Sequence, residues 1–273
     1  MPPGYNSQQK AAISQFQTFT QADRNTAIRV LKNHGWNVDA AVDGHFNGGG
    51  GPTVPSGAKS NLNKIFDRYR EDVAASPDAV GTEGTIKYLG DIDVDLEGLE
   101  FLAVSELVQT PAMGEMTRDG FVEGWMNVNA DSIDKQKAHV KQLSKALPTS
   151  KDSFTKVYKY AFTVAKQGAQ KTISIETATI YWDLLFNSPL SHVRWNTPSS
   201  PWSEWWKEFL TVKWKKAVNR DMWNETLRFA QMSLNDEAIS FWNEESSWPS
   251  VIDEFVEYVN KEKRGQNGDA MEE

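Results

Sequence analysis

The amino-acid sequence predicts an all-α protein in two parts, a small three-helix bundle tied by a flexible linker to a larger helical domain. Three observations carry that expectation. Apolar residues recur at three- and four-residue spacing through most of the chain, as amphipathic helices require. The run Gly48-Gly49-Gly50-Gly51-Pro52-Thr53-Val54-Pro55-Ser56-Gly57 separates two such regions and can bury nothing itself. Nine of the eleven tryptophans fall between Trp182 and Trp248, so the C-terminal half should hold one heavily packed aromatic core.

Residues 7–47 hold three short helical patterns: Ile13, Phe16 and Phe19, then Ala27, Ile28 and Leu31, then Ala41, Val42 and Phe46. Gly35 ends the second and Asn37 or Asp39 can cap the third, which makes 1–47 a compact bundle. Residues 48–60 form the linker, with a random-coil span of about 15–20 Å. From residue 61 the period resumes with Leu62, Ile65, Phe66 and Tyr69, and returns in Leu99, Leu102 and Leu107. Helix–loop–helix spacing places Asp72 and Glu83 at the ends of a calcium loop, but Ala74, Ser76 and Pro77 stand where oxygen ligands and the turn glycine are required. The expectation is an EF-hand-like pair without calcium, its second half around Gly114 to Trp125. Ser132 opens a helix with Ile133, Val140, Leu143 and Leu147 that Pro148 stops, and Phe154, Val157, Tyr158, Ala161 and Val164 form the next stripe. Ser174 caps a run with Ala178, Tyr181, Trp182 and Leu185. Trp202, Trp205 and Phe209 follow, then a helix near Asp221 and a last one at Pro249, where proline suits the first turn. The larger domain spans 61–260, and 261–273 is expected to be a disordered polar tail.

The absence of cysteine excludes disulfides, thiolate metal sites and thioester-forming chemistry. A net charge of −8 disfavours nucleic acid or anionic membrane as a partner for the whole chain and favours a basic protein surface. No apolar run approaches the roughly 20 residues of a membrane span, and the N-terminus shows neither a signal core nor a glycine at position 2. The chain is therefore expected to be intracellular and soluble. His34, His45, His139 and His192 lie at no metal-ligand spacing, and no phosphate loop, nucleophile elbow or zinc-protease motif occurs. Neither a metal, another cofactor nor a catalytic residue is expected. The sharpest charge feature is residues 229–260, which hold Asp236, Glu237, Glu244, Glu245, Asp253, Glu254 and Glu257 with no lysine or arginine. This is either a solvated face with helix-start carboxylates, Asp221 sitting at an N-cap position, or a docking surface for a basic partner.

Asp221-x-Trp223-Asn224 followed by Ser247-Trp248-Pro249-x-Val251-Ile252-Asp253-Glu254-Phe255-Val256 resembles the defective-in-cullin-neddylation family. Ala130-Asp131-Ser132-Ile133, Ala165-Lys166 with Gln170-Lys171, and Tyr181-Trp182-x-Leu184 match it further. The resemblance covers nearly the whole chain, as a ubiquitin-associated-type bundle at 7–47 and a potentiating-neddylation domain at 61–260. It implies a scaffold-type co-ligase that helps transfer a ubiquitin-like modifier from its conjugating enzyme to a cullin lysine, with thiol and lysine supplied by the partners. It also implies that Asp221, Ser247 and Asp253, with Glu254 beside them, grip the basic winged-helix region of the cullin. Ser247 stands where the family usually has alanine, and burying its hydroxyl unpartnered would cost about 1–3 kcal/mol.

A second implied site is an apolar pocket for the acetylated N-terminal methionine of the conjugating enzyme, lined by Phe101, Val104, Ser105, Val108, Met113, Met116, Val164 and Leu184. Acetylation removes an ammonium whose burial would cost several kcal/mol. Ser105 stands where small apolar residues are common, and by spacing alone the stripe suits closed core as well as open pocket. In the bundle, the resemblance implies weak ubiquitin binding through Phe19, Thr20 and Gln21 and the helix from Asp43 to Phe46. That first loop departs from the Met-Gly-Phe or Met-Gly-Tyr common in ubiquitin binders.

The implied mechanism is proximity, one rigid domain holding enzyme and cullin together. Two rivals stay open: a ubiquitin receptor or adaptor that binds cullins without promoting transfer, and an unrecognised enzyme. The chain is expected to be a monomer in cytoplasm and nucleus. The 187–201 loop, with Pro189, Pro198 and Pro201, is longer than the family usually shows, and Lys213 to Lys216 and Lys261 to Arg264 are short basic clusters.

Overall fold

The computed structural model describes residues 5–20, 22, 24–47, 57–166, 168–243 and 245–265, with the backbone alone at 25, 29, 33 and 43–47. The chain divides into two compact units, Met1–Pro55 and Ser56–Glu273.

In the first unit, α1 (Ser7–Thr20), α2 (Arg24–Asn33) and α3 (Val38–Asn47) close around Ile13, Phe16, Ala27, Leu31 and Ala41, all fully buried. α1 opens on a reciprocal cap that the apolar pattern does not reveal. Asn6 Oδ1 accepts the Gln9 N–H at 2.8 Å, and Gln9 Oε1 accepts the Asn6 N–H at 3.1 Å. After α2, Gly35 and Trp36 both take left-handed backbone, and the Trp36 N–H returns to the Leu31 carbonyl at 2.7 Å. Asn37 then caps α3 through the Ala40 N–H at 3.0 Å. Phe19, expected in the stripe of α1, is 57% exposed, because two three-residue steps from Ile13 turn it about 120° off that face.

The second unit begins with α4 (Ala58–Asp67), which starts inside the expected linker. Ala58 is buried and extends the face of Leu62, Ile65 and Phe66 by one turn, so 58–60 belong to the domain. α4 and α5 (Thr82–Asp91), then α6 (Leu99–Leu107) and α7 (Arg118–Asn127), form the EF-hand-like pair. Their loops join through β1 (Ala79–Val80) and β2 (Met116–Thr117), antiparallel with Val80 opposite Met116. The first loop is satisfied from within the chain. Glu71 accepts the N–H groups of Gly81 and Gly84 at 2.6 and 2.7 Å, and Asp72 accepts those of Ala74 and Ala75. The Arg118 guanidinium reaches Asp78 at 2.6 Å and Asp67 at 2.8 Å, placing a side-chain cation among the loop's carboxylates.

α8 (Ile133–Ala146) leads to the C-terminal half: α9 (Lys151–Ala165), α10 (Ile175–Asn187), α11 (Trp202–Phe209) with a π-helical turn Leu210–Trp214, α12 (Arg220–Asn235) and α13 (Ser250–Tyr258). β3 (Thr172–Ile173) pairs antiparallel with β4 (Val218–Asn219), repeating the loop-to-loop bridge of the first half. Two-residue strands carry no legible period, so neither bridge was anticipated. Ser132, Ser150 and Ser174 each cap the helix that follows by accepting a backbone N–H. The aromatic core lies where expected. Trp182 stacks on Trp223 at 4.9 Å, and Trp206 meets Phe255 edge-on at 4.9 Å. The Tyr158 hydroxyl donates to the Trp223 carbonyl at 2.8 Å and accepts the Trp182 indole N–H at 2.7 Å.

Three expectations need correction at the C-terminal end. Asn219, not Asp221, is the N-cap of α12, accepting the Met222 N–H at 2.8 Å, and Asp221 sits in the first turn. Pro249 occupies the cap of α13, whose first residue is Ser250. The expected tail is ordered at its start: a π-helical turn Val259–Lys263 follows α13, Lys263 pairs with Glu208 at 2.7 Å and Arg264 lies over the Trp202 ring at 5.2 Å. These contacts outweigh the local polarity of the segment. Residues 266–273 lie outside the described residues.

Candidate functional site

The acidic residues come together around the packed pair α12 and α13. On α12, Asp221, Glu225 and Arg228 follow one face at helical spacing, and Asp221 is exposed. Glu225 pairs with Arg228 at 3.1 Å, and the Arg228 guanidinium lies 4.4 Å above the Trp248 ring. That stacking ties the α12 face to the segment entering α13. On α13, Asp253 is half-buried while Glu254 and Glu257 are exposed. The Trp242 indole N–H donates to Asp253 Oδ1 at 2.8 Å, which fixes the carboxylate's orientation and leaves its other oxygen for a partner. Ser247 is exposed, so its hydroxyl stays in water in the free protein.

The segment between the two helices is held from both sides. Asp236 accepts the N–H groups of Ala238 and Ser240. Glu237 accepts the hydroxyls of Ser199 at 2.6 Å and Ser200 at 2.8 Å, which keep its carboxyl below the usual range and anchor the 187–201 loop here. Trp242 and Arg228 were missed by sequence reading. Trp242 lies 11 residues from Asp253, at no spacing that predicts contact.

The residues read as an apolar pocket fall on both sides of α6, which packs against α7, α8 and α9. Val104, Val108 and Met116 are buried in the core of the EF-hand-like half, and Val164 in the C-terminal core. Phe101, half-buried, packs against both cores, and half-buried Leu184 packs against the C-terminal one. Ser105 is buried on α6. Met113 stands apart, 59% exposed in the loop before β2. That loop is tied to α9 by the Tyr160 hydroxyl, which donates to the Thr110 carbonyl at 2.8 Å. Burial first, and Glu106 second, push the Tyr160 phenol up to about 12, so it remains a donor at neutral pH.

In the bundle, Phe19 is exposed and Thr20 is half-buried, its hydroxyl donating to the Phe16 carbonyl at 2.7 Å. Gln21 and the side chains of Asp43 and Phe46 lie outside the described residues. Among the described residues, no group of His, Asp and Glu is placed to hold a metal, and no helix is long and apolar enough to cross a membrane. Carboxylates fixed at a surface can bind and steer cations; the arrangement around Asp253 is suited to binding.

A family model described as "Cullin binding" matches residues 135–258, and one described as "UBA-like domain" matches residues 10–52. The chain is similar to a protein of Pyricularia oryzae named "Defective in cullin neddylation protein 1", 36% identical over 94% of this chain and 95% of that protein. A protein of the same name from Yarrowia lipolytica is 31% identical over 91% of this chain and 96% of its own length. One from Saccharomyces cerevisiae is 25% identical over 94% and 96%. With identity at this level running almost end to end, and both parts of the chain matched, the protein belongs to the defective-in-cullin-neddylation family.

Proposed function

We propose that this chain is a scaffold-type co-ligase for cullin neddylation: it binds the basic winged-helix region of a cullin and the acetylated N-terminus of the conjugating enzyme, and promotes transfer of the ubiquitin-like modifier to a cullin lysine. One observation carries the reading. Asp221, Asp253 and Glu254 lie within the stretch matched by the cullin-binding model, on two packed helices, and Trp242 holds Asp253 in place. A fixed acidic face raises the encounter rate with a basic domain and selects its orientation. Ser247 borders that face, and a partner seated there would have to satisfy its hydroxyl. For the enzyme arm, support comes from Phe101 on α6 and Leu184 on α10, apolar side chains left half-buried at the edge of the C-terminal core.

Acceleration then comes from proximity, the partners supplying thioester and lysine while this chain raises their effective concentration. The deciding experiment is reconstituted cullin modification with and without the chain. Faster transfer is expected, and an unchanged rate would reduce the protein to a receptor. An acetylated N-terminal peptide of the conjugating enzyme should bind far better than its free-amine twin. Equal binding removes the pocket from the proposal. A receptor role that reads ubiquitin through the bundle is the second reading, favoured by the UBA-like match and by exposed Phe19.

A further inference from the structure

We infer that the C-terminal half carries a second docking surface, a basic stripe formed by α9 and the β3–β4 loops, which receives an acidic patch on the same protein that docks against Asp221 and Asp253. The inference rests on the cullin reading above and extends it to how that partner is oriented.

Lys159 and Thr163 lie one turn apart on one face of α9, and Lys166 follows at the C-cap of the helix, where the backbone turns extended. Arg220, the first residue of α12, extends that face: its guanidinium donates to Thr163 Oγ1 at 3.3 Å and lies 5.1 Å from the Phe162 ring. One step beyond the antiparallel pairing of Thr172 with Asn219 and of Ile173 with Val218, Lys171 comes opposite Arg220, so the stripe runs from α9 across Arg220 to Lys171. Lys215 and Lys216 lie at the other end of that pairing, Lys216 Nζ 4.2 Å over the Trp214 ring, and stand outside the stripe. The Phe162 ring beside Arg220 holds that cationic head with little entropy left to lose on binding.

None of Lys159, Lys166, Lys171 and Arg220 has an ion-pair partner among the described residues. Carboxylates are not scarce, since the chain has 37 acidic against 29 basic residues. Neighbouring cations are paired, Lys213 with Glu262 at 2.8 Å and Lys263 with Glu208 at 2.7 Å. A row of unmatched like charges repels itself, and an anionic partner relieves that repulsion.

The kind of anion follows from what lies beside the stripe. Asp221 succeeds Arg220 in the same helical turn, so the acidic face begins where the basic stripe ends. An extended nucleic acid or a flat anionic membrane laid on the stripe would meet those carboxylates as well. A protein that presents a basic patch to Asp221 and an acidic one to Arg220 meets both with opposite sign, and the reversal of sign across one turn fixes its rotation.

The test measures association of the full-length chain with the cullin C-terminal domain by stopped flow over a salt series. Lys159→Glu/Lys166→Glu/Lys171→Glu should slow association about tenfold at low salt, with the difference fading near 1 M where screening is complete. The corresponding Gln variant, which spares the stems, should show an intermediate loss and carries the test if charge reversal disturbs the fold. Unchanged association in the Gln and Glu variants, with Asp253→Lys still impaired, overturns the stripe and leaves the acidic-face reading standing. If Asp253→Lys is also without effect, both fail. Lysine-dependent binding to single-stranded RNA or phosphatidylserine vesicles, with cullin association unchanged, overturns the inference in favour of a polyanion.

Discussion

Asp253 is the residue on which the acidic face turns. Its carboxylate is oriented by the Trp242 indole at 2.8 Å, whereas Asp221 stands exposed in the first turn of α12. Asp253→Lys should weaken cullin binding by about tenfold or more while leaving the circular dichroism spectrum intact, since the reversed charge meets a basic partner. Trp242→Phe keeps an aromatic ring but removes the N–H; from a hydrogen bond of roughly 0.5–1.5 kcal/mol, calorimetry should find affinity lowered about threefold or more. Unchanged affinity in the second variant would restrict Trp242 to packing. The acids themselves were legible as a stretch without lysine or arginine. That Asp253 is oriented by an indole was not, because their contact depends on how the segment between α12 and α13 turns back.

At the scale of elements, the EF-hand-like pair shows what replaces a metal when the oxygen ligands are missing. Glu71 accepts the N–H groups of Gly84 and Gly81, and these bonds hold its carboxyl below its ordinary value of 4.5. The folded state therefore favours the ionised form: this contribution is complete above the ordinary carboxylate range and is lost as pH falls through the lowered folded value. Glu71→Gln should lower the urea midpoint at pH 7, and the gap to the parent should narrow as pH falls below 4.5. Two glycines of α5 make a sharper contrast. A Cβ at Gly84 would lie 2.0 Å from the Tyr69 carbonyl oxygen, so Gly84→Ala should destabilise by about 1–3 kcal/mol. At Gly90 nothing lies within 4 Å, and Gly90→Ala should stabilise by about 0.5–1 kcal/mol. Denaturant titration reads both.

For the whole molecule, each unit carries its own apolar core: Ile13, Phe16 and Leu31 in the first, and the two larger clusters in the second. Residues 56–273 alone should unfold at the same temperature as the second unit does in the full chain and keep its cullin affinity, as calorimetry and titration would record. A lowered transition would mean that the bundle supports the larger domain.

The helical class, the division into two parts and the aromatic weight of the C-terminal half were legible from one sequence, because periodicity, glycine content and composition are local properties. Asn219 capping α12 and Lys263 with Arg264 binding the chain beyond α13 emerged only from the folded molecule. So did the two β bridges and the guanidinium of Arg118 among the carboxylates of the first loop. Many of these features join residues tens of positions apart, and their energies come from packing and charge placement that neighbouring residues do not encode. Local pattern decides what a segment can become; tertiary contact decides which of its side chains are left facing a partner.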